Sequence, residues 1–244
     1  MDINLVPLFL FSFLSQVSVA FAGFGGALIS ITLGAHYYSV EWMLPVLVPL
    51  TTVSNFYILL RYYRHIDLSI LFRLILPYMG IGLAIGIVIF NQIQGDLLVK
   101  ILGILVVIVS LRELIQLFRS SRERPHVGRF KSFLYIFSAG IVHGIYASGG
   151  PLLVYVINRF NLHKTAFRST LSAVWLIMNT FLIVSYAFTG RLTMETSRTS
   201  LLLLPSLFFG VLLGEFLHRK SDSRKFQIVV FMLLFLTGIS IIVK

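Results

Sequence analysis

The sequence predicts an all-α integral membrane protein with about eight hydrophobic segments, arranged as two related halves of four. Of the 244 residues, 57% are apolar and 12% are charged, about half the charged fraction of soluble domains. The mean hydropathy is +0.93. Apolar runs long enough to cross a bilayer follow one another along the chain, which leaves no length for a separate soluble domain.

The individual segments are apolar runs separated by short polar connectors. They lie near residues 5–34, 42–61, 69–90, 97–118, 131–158, 168–189, 199–217 and 226–243. The N-terminal sequence Met1-Asp2-Ile3-Asn4 lacks the basic start of a cleaved signal peptide. We therefore expect the first segment to remain in the protein.

One clearly hydrophilic connector starts at Arg119, near the midpoint of the chain. It separates a first transmembrane repeat (1–118) from a second one (131–244), with a basic cytoplasmic linker (119–130) between them. Recurring residues support a duplication. The equivalent sets are Gly25-Gly26 with Gly149-Gly150, Asn55 with Asn179 and Tyr62 with Tyr186, all 124 apart, and Pro77, Gly82 and Gly86 with Pro205, Gly210 and Gly214, 128 apart. Glycines four residues apart let membrane helices pack closely, so we expect packing roles for the last set.

Segments 1 and 5 are too long for one perpendicular crossing, and each is interrupted by a glycine-rich motif. The motifs are Gly23-Phe24-Gly25-Gly26 and Ala147-Ser148-Gly149-Gly150-Pro151. Pro151 suits the first position of a new helix. Interrupted segments at matching places in two halves are the best sequence indicator of a transporter's binding site.

Two topologies follow from these breaks. If segments 1 and 5 cross fully, the halves are parallel; if they are re-entrant hairpins, the halves are inverted. The inverted arrangement places 16 of the 20 lysines and arginines in the cytoplasm, and the parallel one places 12 there. Since cytoplasmic loops are rich in these residues, we predict inverted repeats in the inner membrane, with both termini in the periplasm.

The breaks also predict a binding site for a small anion. A short helix starts after each break, and the free N–H groups of its first turn carry partial positive charge. Polar residues of segments 2 and 6 face the interior for substrate contact or for bonding between helices. The candidate substrate-binding residues are Gly25, Gly26, Ala27, Thr51, Thr52, Ser54, Asn55, Ser148, Gly149, Gly150 and Asn179. The alternative for the glycines is tight turning and close packing.

The driving force is expected to favour export. None of the nine acidic residues lies at the centre of a segment, where proton-driven pumps usually carry carboxylates. An inside-negative potential favours anion efflux by roughly 2.3 kcal/mol per charge per 100 mV. His143, which precedes the second break, is either structural or a candidate for proton coupling.

Other classes of protein are disfavoured. The net charge of +11 is spread over short clusters between apolar runs, so a nucleic-acid partner is not expected. There is no cysteine and no His-Glu metal motif, and neither a metal nor another cofactor is expected. An intramembrane hydrolase using Ser148 and His143 lacks an orienting acid, and Tyr146 replaces the first glycine of a nucleophile elbow. A non-transporting membrane subunit would not need paired breaks.

The glycine breaks, the four-plus-four duplication and the polar stretch of segment 2 resemble the TauE/SafE family of membrane exporters. The most specific matches are Gly23-Phe24-Gly25-Gly26-Ala27-Leu28-Ile29, Ser148-Gly149-Gly150-Pro151-Leu152-Leu153 and the pair Tyr62 and Tyr186. The family tends towards longer glycine runs than are found here. The resemblance covers essentially the whole chain and implies export of sulfite or a small organosulfonate. The expected partners are this anion and the lipid bilayer, with a homodimer left open.

Overall fold

The computed structural model describes residues 5–93, 95–118, 128–160, 162–220 and 223–243, and all regular structure in them is helical. A π-helical turn (Leu71–Ile75) joins α4 to α5. The helices are α1 (Leu5–Ala22), α2 (Gly26–Gly34), α3 (Val40–Tyr62), α4 (Leu68–Ile70), α5 (Leu76–Gln92), α6 (Asp96–Phe118), α7 (Arg129–Tyr146), α8 (Gly150–Ile157), α9 (Lys164–Phe188), α10 (Met194–Leu202), α11 (Leu204–Lys220) and α12 (Ser223–Val243).

Several of these helices can cross a membrane by length and composition. Within the described ranges, four qualify singly: Leu5–Ala22, Val40–His65, Leu68–Gln92 and Lys164–Phe188. The pair α10 and α11, bent by 44°, makes a fifth if it forms one span. A multi-pass membrane protein is therefore supported. The predicted linker falls largely on residues 119–127, outside the described residues.

The outer surface of the bundle is apolar at mid-helix, as lipid contact requires. Phe56, Ile81, Val88, Phe181 and Phe208 are each at least half exposed. Exposing side chains of this size to water costs about 1.5–3 kcal/mol each relative to burial. Lipid chains remove that cost, so this surface is suited to a bilayer.

Segments 1 and 5 are broken as predicted, and the chain reverses direction at each break. The short helix α2 runs back along α1, and the Ser30 hydroxyl donates to the Phe11 carbonyl at 3.4 Å. In the same way α8 runs back along α7, with the rings of Tyr155 and Tyr135 4.7 Å apart. Gly25 has a φ of +86°, which a side chain would strain. Each segment therefore forms a helical hairpin.

The glycines predicted to serve packing lie where helix backbones touch. A Cβ atom at Gly82 would collide with the Phe137 carbonyl oxygen on α7. At Gly214 it would lie 2.6 Å from the Ala20 Cβ atom on α1. These contacts join α5 to α7 and α1 to α11, so each pair combines a helix from residues 1–118 with one from residues 131–244.

One charged residue lies elsewhere than predicted. Arg168, at the start of the predicted segment 168–189, is one of the 16 basic residues assigned to the cytoplasm, but it lies inside α9 and its side chain is only 1% exposed. The helix begins four residues earlier than the apolar run, at Lys164. His163 caps it by accepting a hydrogen bond from the Thr165 N–H. Because this first turn is polar, a search for apolar runs does not detect it.

Candidate functional site

A cavity of about 30 Å³ lies between the two breaks, in the interior of the bundle. It meets both hairpins and the middle of α3 and α9. Its lining residues are Val19, Phe24, Gly25, Gly26, Ala27, Thr51, Asn55, His143, Ala147, Ser148, Gly150, Trp175 and Asn179. None of these side chains is an Asp, Glu, Lys or Arg. The polar groups of the lining are amide, hydroxyl, imidazole and backbone groups, set among apolar and aromatic side chains.

The lining residues form pairs at the 124-residue spacing of the predicted duplication. Ten of the thirteen have a partner in the lining 124 residues away. The five pairs are Val19 with His143, Phe24 with Ser148, Gly26 with Gly150, Thr51 with Trp175, and Asn55 with Asn179. Equivalent positions of the two predicted halves therefore line one cavity.

The first turns of α2 and α8 contribute backbone N–H groups to the walls. The first helical hydrogen bond of α2 is from Ile29 N–H to the Gly25 carbonyl, at 3.0 Å. In α8 it is from Leu153 N–H to the Gly149 carbonyl, at 3.2 Å. The N–H groups before these residues have no acceptor within their own helices. They carry the positive end of each helix dipole, which favours an anion.

Two polar atoms of the lining are buried and have no hydrogen-bond partner among the described residues. They are the Ser148 hydroxyl and the Asn55 carbonyl oxygen. Ser148 is 7% exposed and Asn55 is 2% exposed. Because buried polar groups are nearly always paired, these two atoms indicate a place for a polar ligand or water.

His143 belongs to a hydrogen-bonded cluster at the cavity wall. Its Nε2 atom lies 3.0 Å from the Asn179 Oδ1 atom, and its Nδ1 atom accepts the Gly149 N–H at 3.5 Å. This network assigns the proton to Nε2, because Nδ1 acts as an acceptor. The ring stacks on Trp175 at 5.1 Å, whose indole N–H donates to the Gly23 carbonyl. The cluster links the second hairpin to the first break through α9.

Three predicted residues do not line the cavity. Thr52 donates to the Val48 carbonyl of its own helix at 2.7 Å. Ser54 donates to Gln16 on α1 at 2.5 Å. Gly149 faces α7, where a Cβ atom would lie 3.2 Å from the His143 Cβ atom. These residues support the walls from behind.

Four lining residues were not predicted: Val19, Phe24, Ala147 and Trp175. Their side chains are apolar or aromatic, so polarity did not distinguish them. A usable signal was the repeat spacing, since Trp175 lies 124 residues after Thr51 and Val19 lies 124 before His143.

A known protein family matches nearly the whole chain. A family model described as "Sulfite exporter TauE/SafE" matches residues 8–241. The chain belongs to the TauE/SafE family. Comparison with curated proteins and with solved structures gives no match. TauE/SafE proteins are membrane exporters of sulfite and related sulfur compounds rather than enzymes. Among the described residues of this member, the His143 ring hydrogen-bonds to Asn179 and Gly149 and not to Ser148.

Proposed function

We propose that this TauE/SafE protein exports sulfite from the cytoplasm, and that the cavity between the two breaks is its binding site. The observation that supports this most strongly is the unpartnered Ser148 hydroxyl, which lines a cavity beside two helix N-termini. Hydroxyl, amide N–H and backbone N–H groups donate hydrogen bonds, and the oxygen atoms of an oxyanion accept them.

The size of the cavity favours a compact ion over a larger sulfonate. A water molecule needs about 10–15 Å³ of such volume, so about 30 Å³ corresponds to roughly two waters. Sulfite has four heavy atoms and fits such a space with little rearrangement. A longer organosulfonate requires the hairpins to separate.

We further propose that the halves are inverted repeats in the inner membrane, with both termini in the periplasm. The reversal at both breaks supports this, because each hairpin returns its segment to the side on which it began. The eight predicted segments then consist of six crossings and two hairpins. Alternating access follows if the two hairpins move relative to each other around the cavity.

The roles of the two asparagines differ in this proposal. Asn179 presents its amide to the cavity while its carbonyl oxygen accepts from His143. Asn55 donates to the Thr51 carbonyl at 2.8 Å and leaves its own carbonyl oxygen free. That oxygen can accept a hydrogen bond from a protonated ligand such as hydrogensulfite. His143 positions Asn179, and we propose proton coupling as its second role.

Efflux from proteoliposomes tests the proposal. Vesicles containing the purified protein are loaded with labelled sulfite, and an inside-negative diffusion potential is imposed. We expect efflux that accelerates with the potential and falls at least tenfold in the double variant Asn55→Leu with Asn179→Leu. Thr180→Leu is the matched control, since Thr180 adjoins Asn179 but is exposed on the outer face.

Absence of sulfite efflux from correctly folded wild-type protein would exclude the function. Equal efflux from the double variant and from Thr180→Leu would exclude both asparagines from the site. Repeating the measurement between pH 5.5 and 8.5 with methanesulfonate, whose charge is constant there, tests His143. A pH dependence unchanged by His143→Gln would exclude proton coupling through this residue.

A further inference from the structure

A buried ion pair and its hydrogen bonds join four helices beyond the central cavity. The Arg168 Nη1 atom on α9 lies 2.8 Å from the Glu215 Oε1 atom on α11, and the two side chains are 1% and 8% exposed. Tyr62, at the end of α3, donates to the other Glu215 oxygen at 2.9 Å. Arg168 also donates to the Ala20 carbonyl in the last turn of α1, where the helix dipole favours a cation.

The ion pair lies between the cavity and the basic end of the bundle, the end that carries Arg61, Arg64, Lys164, Arg219 and Lys220. Tyr62 follows the cavity residue Asn55 by seven positions, and Arg168 precedes the cavity residue Trp175 by seven. At 1.5 Å per helical residue, the pair is roughly 10 Å from the cavity. A Cβ atom at Gly23, in the first break, would lie 3.1 Å from the Arg168 Cγ atom. The pair therefore lies beside the first break, on the side of the cavity that faces the basic end.

The other half of the chain has no such pair at the equivalent positions. By the spacings of the duplication, Leu44 corresponds to Arg168 and Ile87 to Glu215. Tyr186 corresponds to Tyr62, and its buried hydroxyl has no partner in the part of the chain that the structure describes. A packing need common to both halves would not explain charges on one side only, since burying them costs several kcal/mol per ion before pairing.

The Arg168 guanidinium also retains donors for a ligand. Its Nε and Nη2 atoms are buried and have no hydrogen-bond partner among the described residues. A guanidinium with two free donors matches an oxyanion in a bidentate arrangement. We propose that Arg168 is a second anion-binding site, where sulfite displaces the Glu215 carboxylate and so opens the basic end towards the cavity. This site rests on the proposed transport function.

Thiol labelling tests the opening without depending on transport. The chain contains no cysteine, so Val19→Cys places a single thiol at the cavity wall. In membrane vesicles that expose the basic end, we expect Glu215→Gln to raise the labelling rate by a membrane-impermeant thiol reagent at least fivefold. Vesicles of the opposite orientation should show no such increase. Arg64→Gln removes an exposed charge at the same end. It should leave the labelling rates in both vesicle orientations within twofold of those without this substitution.

Transport kinetics test the anion site itself. For sulfite entering from the basic end, Glu215→Gln removes the competing carboxylate and should lower KM about threefold. The double variant Arg168→Leu with Glu215→Ile carries the residues of the first half and leaves no unpaired charge. It should raise KM about tenfold, because a charge-assisted interaction is lost.

Several results would overturn the proposal. They are an unchanged labelling rate in folded Glu215→Gln, and a KM of the double variant within twofold of the wild-type value. If Glu215→Gln does not fold, the double variant alone decides. If the wild-type protein carries no sulfite, the transport function fails, and the labelling rates still show whether the ion pair closes this end.

Discussion

The cavity between the breaks holds its proposed ligand with dipoles instead of full charges. The lining offers the Ser148 hydroxyl, the Asn179 amide and the N–H groups of two helix N-termini. Such groups bind an anion with moderate strength. A transporter benefits from this, because a bound ion must be able to leave. The full charge of Arg168 lies outside the cavity, where it is already paired with Glu215.

The first prediction concerns the unpartnered hydroxyl. Ser148→Ala removes a donor from the cavity without adding volume, and we expect sulfite efflux to fall about tenfold, as for loss of one hydrogen bond to a charged group. The folded yield should be unchanged, because the hydroxyl has no protein partner within the described residues. Efflux is measured in proteoliposomes at matched protein content.

Ser172→Ala is the matched control for Ser148→Ala. The Ser172 hydroxyl is also buried and unpartnered in the described structure, but it does not line the cavity. Its loss should leave efflux within twofold of wild type. Equal loss in both variants would show that a buried hydroxyl matters for folding and not for binding.

The sequence predicted part of this site. Asn55, Asn179, the paired glycines and Ser148 were predictable because polar residues and helix breaks recur in both halves. Trp175 was missed because it differs in chemistry from its equivalent Thr51, so that only the 124-residue spacing could have indicated it. The pair Arg168 and Glu215 was missed because both residues lie near basic segment ends, where charges usually face water.

At the scale of helices, close backbone contact determines which elements can move. The α5–α7 contact has carbonyl oxygens of α7 against Gly82 and Gly86. No side chain separates the backbones there. Tightly packed interfaces resist sliding, so α5 and α7 should move as one body, and α1 and α11 as another.

The second prediction tests this contact. Gly82→Ala forces α5 and α7 apart, and overpacking of this kind costs about 1–3 kcal/mol. We expect a clear loss of folded yield and a lower melting temperature in detergent. Gly80→Ala, on the same helix, has open space at its Cβ position. It should be neutral or slightly stabilising, because alanine favours helix by about 1 kcal/mol over glycine. A Gly82→Ala protein as stable as Gly80→Ala would contradict the assigned contact.

Helix positions were largely predictable, and the exceptions have physical causes. The predicted segment 199–217 begins later than the observed helix, which starts at Met194. Thr193 and Thr196 form a capping box there. This polar turn is invisible to a search for apolar runs. The 44° bend between α10 and α11 was also missed.

For the whole molecule, the proposed orientation rests on the distribution of basic residues and on the two hairpins. The third prediction is that a reporter active only in the periplasm works when fused after Lys244. The same reporter should be inactive when inserted within residues 119–127. Reversed activities would contradict the inverted arrangement and favour parallel halves, in which segments 1 and 5 cross the membrane.

The helix contacts between the two halves of the chain also have a consequence for biosynthesis. The glycine contacts join α1 to α11, which begins roughly 180 residues after α1 ends. At about 5–20 residues per second, α1 waits roughly 10–35 s in the membrane before its main partner is made. The first half therefore cannot mature alone, and a chain that stops at the linker presents uncovered glycine-packing faces to quality-control proteases.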